Sequence, residues 1–599
     1  MTMWQKLRAR ARDAGRLPGR AARPIQLFTR LRLLVLGPEE LTAIVFWAAL
    51  IGIGGALASV AFREAIRGIQ WLATGHSGSL VRTASSLDAI RRLAIPTLGG
   101  LAAGAILQFG GRLVRATRSV EYMEAVAVGD GVVAARPTLL RALSSLLSIG
   151  SGGSIGREGP MVQLAALIGS KIGVLRRVPL PRRRLLVACG AAAGIASAYN
   201  APIAAAVFVA EIVMGSFAME SFGPLLVASV SADAMIHRLL GYAPVFQVPP
   251  VHFGDNWELA LYALLGVLLG HLAPPFLALL DWSKARFEQL PVPKFLKLGL
   301  GGFIVGLISL RYPEVWGNGY SVVDSILHDH LAGALLLGVF LAKVASTAST
   351  VGSGAVGGVL TPTLFIGAAV GAATGEALRV ALPHMTSGSE AFAVVGMGAF
   401  LAGTTHAPFT AVLLVFEMTL DHQVVLPLIL ACVTANYVAK IYRRGDSIYR
   451  SALEPDVPVG APPAWRLRTV AELAKPAVAV FDQGTTIRAM LEGLPVHPVH
   501  TVYVVDGLRE LVGVLDPRDV LSGIERGRLA PENAVLTASI PPKATLTPDL
   551  GLTAALDLFL REDSAVLPIV ASQWRATLQG ELSRNDLMLA LQDRLATMR

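Results

Sequence analysis

The side chain in this sequence best placed to do chemistry is Glu158, in the run Ser151-Gly152-Gly153-Ser154-Ile155-Gly156-Arg157-Glu158-Gly159-Pro160. A glycine-rich approach meets a proline suited to a helix start, and an apolar stretch from Met161 to Gly169 follows. The unpaired N–H groups and partial positive charge of such a start make an anion site. A carboxylate tethered there competes with a free anion for the same place. On a soluble helix Glu158 would only complement the dipole, worth roughly 0.3–1 kcal/mol. Here long apolar segments flank the break and set it at membrane depth. Irregular backbone at that depth is buried in protein or lines a cavity, and an ionisable side chain there is functional by default.

The elements around this run occur twice. Ser353-Gly354-Ala355-Val356-Gly357-Gly358-Val359-Leu360-Thr361-Pro362 repeats the approach, with Gly156 and Pro160 matching Gly358 and Pro362. Gly169 and Gly371 stand at the same interval after their prolines. Asn200-Ala201-Pro202 leads through apolar residues to Glu211, and His406-Ala407-Pro408 leads to Glu417 at the same interval, with Gly190 and Gly396 matched before them. Two broken helices in corresponding positions of a duplicated membrane domain point to an ion site between the repeats. Asn200 is expected to cap the helix that begins at Pro202, and His406 to do likewise at Pro408 rather than carry protons.

Gly156-Arg157-Glu158-Gly159-Pro160 resembles the signature of the CLC family of chloride channels and chloride/proton exchangers. Gly358-Val359-Leu360-Thr361-Pro362 is similar to that family's second filter motif, usually Gly-x-Phe-x-Pro, with Leu360 in the Phe place. Tyr449 falls where the family has its inner-gate tyrosine. The resemblance spans about residues 35–455. It implies an all-α polytopic membrane domain built from two inverted repeats with broken, half-spanning helices. It further implies a homodimer with a pore in each subunit, chloride as the transported ion and no required cofactor. Glu158 and Tyr449 would then gate, and Gly156, Arg157, Glu158, Gly159, Val359, Leu360 and Tyr449 would surround the anion.

Two departures from the family pattern matter. Its Gly-Ser-Gly-Ile-Pro run is replaced by Ala116-Thr117-Arg118-Ser119-Val120, leaving Thr117, Arg118 or Ser119 in the place of the anion-binding serine. Where coupled exchangers carry two adjacent glutamates, this chain has Glu211 and then Ile212, which cannot carry a proton. The sequence therefore reads as a channel-like or weakly proton-coupled chloride transporter. The alternative is a chloride/proton antiporter with a non-standard internal path, Glu211 being the possible relay.

Composition agrees with a membrane protein. Apolar residues make up 53% and charged residues 16% of the chain, and mean hydropathy is +0.57, which excludes an ordinary soluble protein. The net charge of +10 gathers at membrane flanks, so nucleic-acid binding is not implied. Lys6, Arg8, Arg10, Arg12, Arg16, Arg20, Arg23, Arg30 and Arg32 against Asp13 place the N-terminus in the cytoplasm, and no cleavable signal follows. The C-terminus is expected on the same side of an inner or plasma membrane. Apolar segments of uneven length suit tilted and half-spanning helices across a core of roughly 30 Å. Arg176, Arg177, Arg182, Arg183 and Arg184 read as a solvated or lipid-facing loop. Cys189 and Cys432 read as small buried hydrophobes, with no metal site. Gly75-His76-Ser77-Gly78 matches the pattern of intramembrane serine proteases, but a polar stretch follows instead of an apolar helix.

The resulting division is a basic segment at 1–38, a transport domain at 39–453 (repeats about 39–240 and 256–442), a Pro-rich linker at 454–465 and an α/β region at 466–599. That last region reads strand-strand-helix at Thr501–Asp506, Leu511–Leu515 and Asp519–Leu521, and again at Ala565–Val570, Ala576–Leu582 and Asp586–Met588. It resembles a tandem pair of CBS modules, which often bind adenine nucleotides. Gly580, Ser583 and Asp586 fit their ribose pattern; the first module has Asp516 at the hydroxyl place. A structural, dimerising role is the other reading. A protein of a different class, a CBS nucleotide sensor with vestigial transport, is the remaining alternative.

Overall fold

A computed structural model of the chain describes residues 41–111, 121–127, 129–241, 244–246, 248–249, 256–328, 330–382, 384, 387–442, 447–448, 469–495, 499, 501–562, 564–572 and 575–588. Thr117, Arg118, Ser119, Tyr449 and the basic segment 1–38 lie outside the described residues. The chain divides into two compact units, Met1–Pro455 and Asp456–Arg599.

The first unit is helical. Its first half runs through α1 (Leu41–Thr74), α2 (Leu80–Ser86), α3 (Ala89–Ala105), α4 (Tyr122–Ala127), α5 (Ala135–Gly150), α6 (Glu158–Leu175), α7 (Leu180–Tyr199), α8 (Pro202–Phe208) and α9 (Met219–Leu240). The second half runs through α10 (Leu259–Gln289), α11 (Lys294–Ser309), α12 (Tyr320–Leu327), α13 (Gly333–Gly352), α14 (Leu360–Ala381), α15 (Ser389–Thr405), α16 (Pro408–Thr419) and α17 (Val425–Tyr442). Among the described residues six helices are long and apolar enough to cross a membrane. Leu57, Leu98, Leu264, Phe303, Leu337 and Leu341 face outward and are exposed. Burying each away from water is worth about 1.5–3 kcal/mol, and lipid tails supply that environment.

The matched glycines set the helix crossings. A Cβ on Gly169 of α6 would meet Leu186 O of α7 at 2.1 Å, and one on Gly371 of α14 would meet Phe392 O of α15 at 2.1 Å. Gly190 and Gly396 press back on Ala165 O and Gly367 O at 2.4 and 2.3 Å. Only glycine lets these backbones approach so closely. The result is a buried α6/α7 and α14/α15 core that holds the two broken segments in place.

Asn200 and His406 do not cap the helices that follow them, contrary to the sequence expectation. Each closes the helix before it, α7 and α15, in the left-handed conformation at φ 50° and 59°, which Asn and His tolerate. The N-cap places of α8 and α16 fall to Ala201 and Ala407, whose side chains carry no oxygen. Those helix starts therefore need acceptors from elsewhere. α8 continues into a π-helical turn over Val209–Met214.

The second unit contains β1 (Val480–Asp482), α18 (Ile487–Glu492), β2 (Val502–Val505), β3 (Leu511–Leu515), α19 (Pro517–Glu525), α20 (Leu552–Glu562), β4 (Val566–Ser572) and β5 (Arg575–Ser583). β1 pairs with β2 in parallel and β2 with β3 antiparallel, while β4 and β5 form an antiparallel pair. Val502, Val504, Leu515 and Val520 fill one small core, and Leu546, Leu567, Ile569 and Leu582 another.

Candidate functional site

The two glycine-rich breaks meet each other. Gly156 N–H donates to Gly358 O at 2.8 Å, and Gly358 N–H donates to Gly156 O at 2.9 Å. This bridge sets the starts of α6 and α14 side by side. The first N–H groups of each helix, Glu158 and Gly159 on one and Leu360 and Thr361 on the other, have no intrahelical acceptor. Their partial positive charges converge. Gly156, expected as an anion ligand, does not fit that role: its N–H is already bonded to Gly358, so its contribution is to hold the two loops together.

Glu158 lies in this convergence and is only 4% exposed. Its Oε1 accepts from Thr361 Oγ1 at 2.5 Å, and its Oε2 has no hydrogen-bond partner among the described residues. A Cβ on Gly156 would fall 1.9 Å from that Oε2, and one on Gly358 would fall 3.3 Å from it. The two glycines thus form the cradle in which the carboxylate lies. Arg157, beside it, holds its guanidinium 5.6 Å from the ring centre of Tyr320.

Tyr320 follows a turn that is pinned by a buried lysine. Lys343 of α13 is 1% exposed and donates through Nζ to Val315 O at 2.9 Å and Gly317 O at 2.6 Å. Trp316, between them, packs on Gly152, where a Cβ would meet the indole at 2.5 Å. Sequence reasoning missed Thr361, Tyr320 and Lys343. For Lys343 a signal existed: it is a lone cation in an apolar helix, and the interval from Gly156 to Gly358 carries Arg141 of α5 onto it.

A cavity of about 810 Å³ opens onto Gly159, Pro160 and the Gly357–Val359 segment. Arg141, Lys284, Lys294 and Lys297 line it, with Glu121 and Glu288. Arg141 pairs with Glu121 at 2.5 Å, and Lys297 Nζ donates to Glu288 O at 3.0 Å. Cations outnumber carboxylates on its wall, which makes the potential beside the Gly357–Val359 segment positive. Val359 and Ile448 also border it.

Glu211 sits apart from this cluster. Its Oε2 accepts from Thr410 N–H at 2.8 Å and Thr410 Oγ1 at 2.7 Å, and its Oε1 from Phe409 N–H at 3.4 Å. Glu417 accepts from Ile203 N–H at 3.0 Å and Ala204 N–H at 2.7 Å. Each glutamate supplies the acceptors that the other repeat's alanine N-cap lacks. Ile212 is part-buried against the core.

The remaining sequence candidates are simpler. Ser77 is exposed in the connection after α1. Arg176 stacks 5.3 Å over Trp47, and Arg184 Nε donates to Gly129 O at 2.8 Å. Cys189 and Cys432 are buried and free. Among the described residues no cluster could hold a metal ion. In the second unit Asp586 accepts from Lys475 Nζ at 2.8 Å and from Ser583 Oγ at 2.7 Å. These two donors hold its carboxyl below the usual aspartate range. A Cβ on Gly580 would meet Lys475 O at 2.5 Å. Asp516 accepts from Arg518 N–H at 2.8 Å and caps α19.

Residues 98–440 match a family model described as voltage gated chloride channel. Over 410 residues the chain is 51% identical to a ClcB-like protein of Ralstonia nicotianae, covering 68% of this chain and 95% of that protein. The structure of a slow cyanobacterial Cl⁻/H⁺ antiporter is similar at a TM-score of 0.62 and 26% identity, over 68% of this chain and 97% of that one. A eukaryotic CLC transporter is similar in fold at a TM-score of 0.61 and 19% identity, over 92% of this chain and 98% of that one.

Proposed function

Because this chain belongs to the voltage gated chloride channel family and serves CLC-type chloride transport, we propose that Glu158 gates its anion pathway. It is an integral, multi-pass membrane protein of a transporter and channel family, not an enzyme. The observation that carries the gating reading is the Glu158 carboxylate lying in the Gly156/Gly358 cradle where two helix starts converge. Ionised, it takes the place of an anion and blocks; protonated or displaced by chloride, it leaves the N–H groups of both helix starts to replace the ion's water. The basic cavity feeds the filter from the side of Arg141 and the three lysines.

The transport is channel-like or weakly coupled to protons. Ile212 cannot relay a proton, and the Glu211 carboxylate is engaged at the start of α16. The antiporter reading draws support from the cyanobacterial antiporter, whose structure is similar. Simultaneous recording of chloride and proton flux from reconstituted vesicles separates the two. The channel-like reading expects chloride efflux with little or no uphill proton movement; proton pumping in fixed proportion to chloride overturns it.

The protein acts as a homodimer in the bilayer, with both termini cytoplasmic. Exposed Ile203, Phe409, Leu426, Ile429, Val433 and Tyr437 on α8, α16 and α17 offer the apolar surface such a dimer buries. The second unit is a CBS-type pair. Its internally bonded Asp586 favours a packing role over nucleotide binding.

A further inference from the structure

We propose that Thr361 is the latch of the gate: its hydroxyl reaches across the repeat boundary and holds the Glu158 carboxylate in its blocking place. This rests on the reading of Glu158 as the gate. A threonine in the first turn of a helix ordinarily bonds nearby backbone, and Thr363 does so, donating to Leu360 O at 2.6 Å. Thr361, fully buried, instead donates to Glu158 Oε1 at 2.5 Å. Its single proton is used there, so in the 3.4 Å contact with Tyr199 Oη the tyrosine must be the donor. Tyr199, itself 1% exposed, therefore orients Thr361, and Thr361 grips Glu158.

A hydroxyl bonded to a carboxylate is roughly twice as strong as one bonded to a neutral acceptor, and stronger still away from water. The latch accordingly grips the ionised gate and loosens on the protonated one. Other groups facing the carboxylate are Arg157 on its own loop, Asn318 before α12 and Tyr320 on α12. Arg63 of α1 stands behind them, acting on Arg157 and Tyr320. Arg157, Asn318 and Arg63 keep their charges and donors when Thr361 is replaced by an isostere; Tyr320, whose hydroxyl also meets Thr361, is controlled by making the same replacement in a Tyr320→Phe background.

The test is chloride efflux from vesicles carrying the full-length protein, recorded against external pH. Thr361→Val removes the donor, so Glu158 takes up its proton more readily and opens at higher pH. The half-activation pH is expected to rise by about one unit, and Thr361→Ser to restore it. Tyr199→Phe, which keeps the ring, is expected to give a smaller rise in the same direction and decides the matter if Thr361→Val does not fold. In a Glu158→Gln background Thr361→Val should change nothing. A wild-type midpoint in Thr361→Val or, failing its folding, in Tyr199→Phe, with a flat Glu158→Gln profile, overturns the latch alone. A Glu158→Gln profile that still follows pH overturns the gate reading on which it rests.

Discussion

Glu211 and Glu417 cap each other's helices: Glu211 of the first repeat binds the start of α16, and Glu417 of the second binds the start of α8. The two helices begin at prolines behind alanine N-caps, whose own side chains offer the first turn no acceptor. The duplicated interval from proline to glutamate gives each carboxylate the reach to serve the opposite helix. In a bilayer no water satisfies those N–H groups.

Removing one carboxylate leaves two donors unpaired. Glu417→Ala is expected to cost about 1–3 kcal/mol and to lower the melting temperature of the detergent-purified protein. Glu417→Gln, which keeps a carbonyl acceptor, should cost less. Equal losses for the two substitutions would mean that the carboxylate's acceptors are not what stabilises the helix start.

This pairing marks where the sequence was legible and where it was not. The duplication, the two filter runs and the place of Glu158 follow from glycine, proline and glutamate spacing, because each needs a particular backbone. The capping partners do not, since Glu211 and Ala407 are brought together by tertiary packing between repeats. Adjacent residues of an α-helix such as Glu211 and Ile212 stand about 100° apart; the π-helical turn over Val209–Met214 changes that spacing. Asn200 and His406 each close one helix where the sequence pattern also allows them to open the next, since a residue between two helices can do either. Thr361 gave no signal, as one hydroxyl in an apolar helix usually bonds its own turn.

Gly156→Ala tests the cradle. The new methyl carbon would lie 1.9 Å from Glu158 Oε2, an overlap that forces the carboxylate out. Efflux should be high at neutral pH and lose its acid activation. Gly358→Ala, whose methyl stops 3.3 Å away, should have the milder effect. A normal pH profile in folded Gly156→Ala protein would place the carboxylate elsewhere.

The basic cavity should act through its field. Replacing Lys284, Lys294 and Lys297 with Gln is expected to lower chloride flux several-fold at low ionic strength. The deficit should shrink toward 1 M salt, where the Debye length falls to about 3 Å. A deficit independent of salt would indicate that these lysines shape the cavity and do not steer anions.

In the second unit, Asp586 already has both oxygens bonded by Lys475 and Ser583. Millimolar adenine nucleotide is therefore expected to leave the unfolding temperature unchanged. A rise that follows mass action and disappears in Asp586→Ala would establish Gly580, Ser583 and Asp586 as a ribose site.

The central claim is that the charge of Glu158 is the gate. Chloride efflux from vesicles carrying wild-type or Glu158→Gln protein, measured as external pH is lowered, tests it most directly. The wild type should open as the pH falls, while Glu158→Gln, neutral at every pH, should conduct at a constant rate. A Glu158→Gln protein that conducts and keeps the wild-type pH dependence would contradict the account.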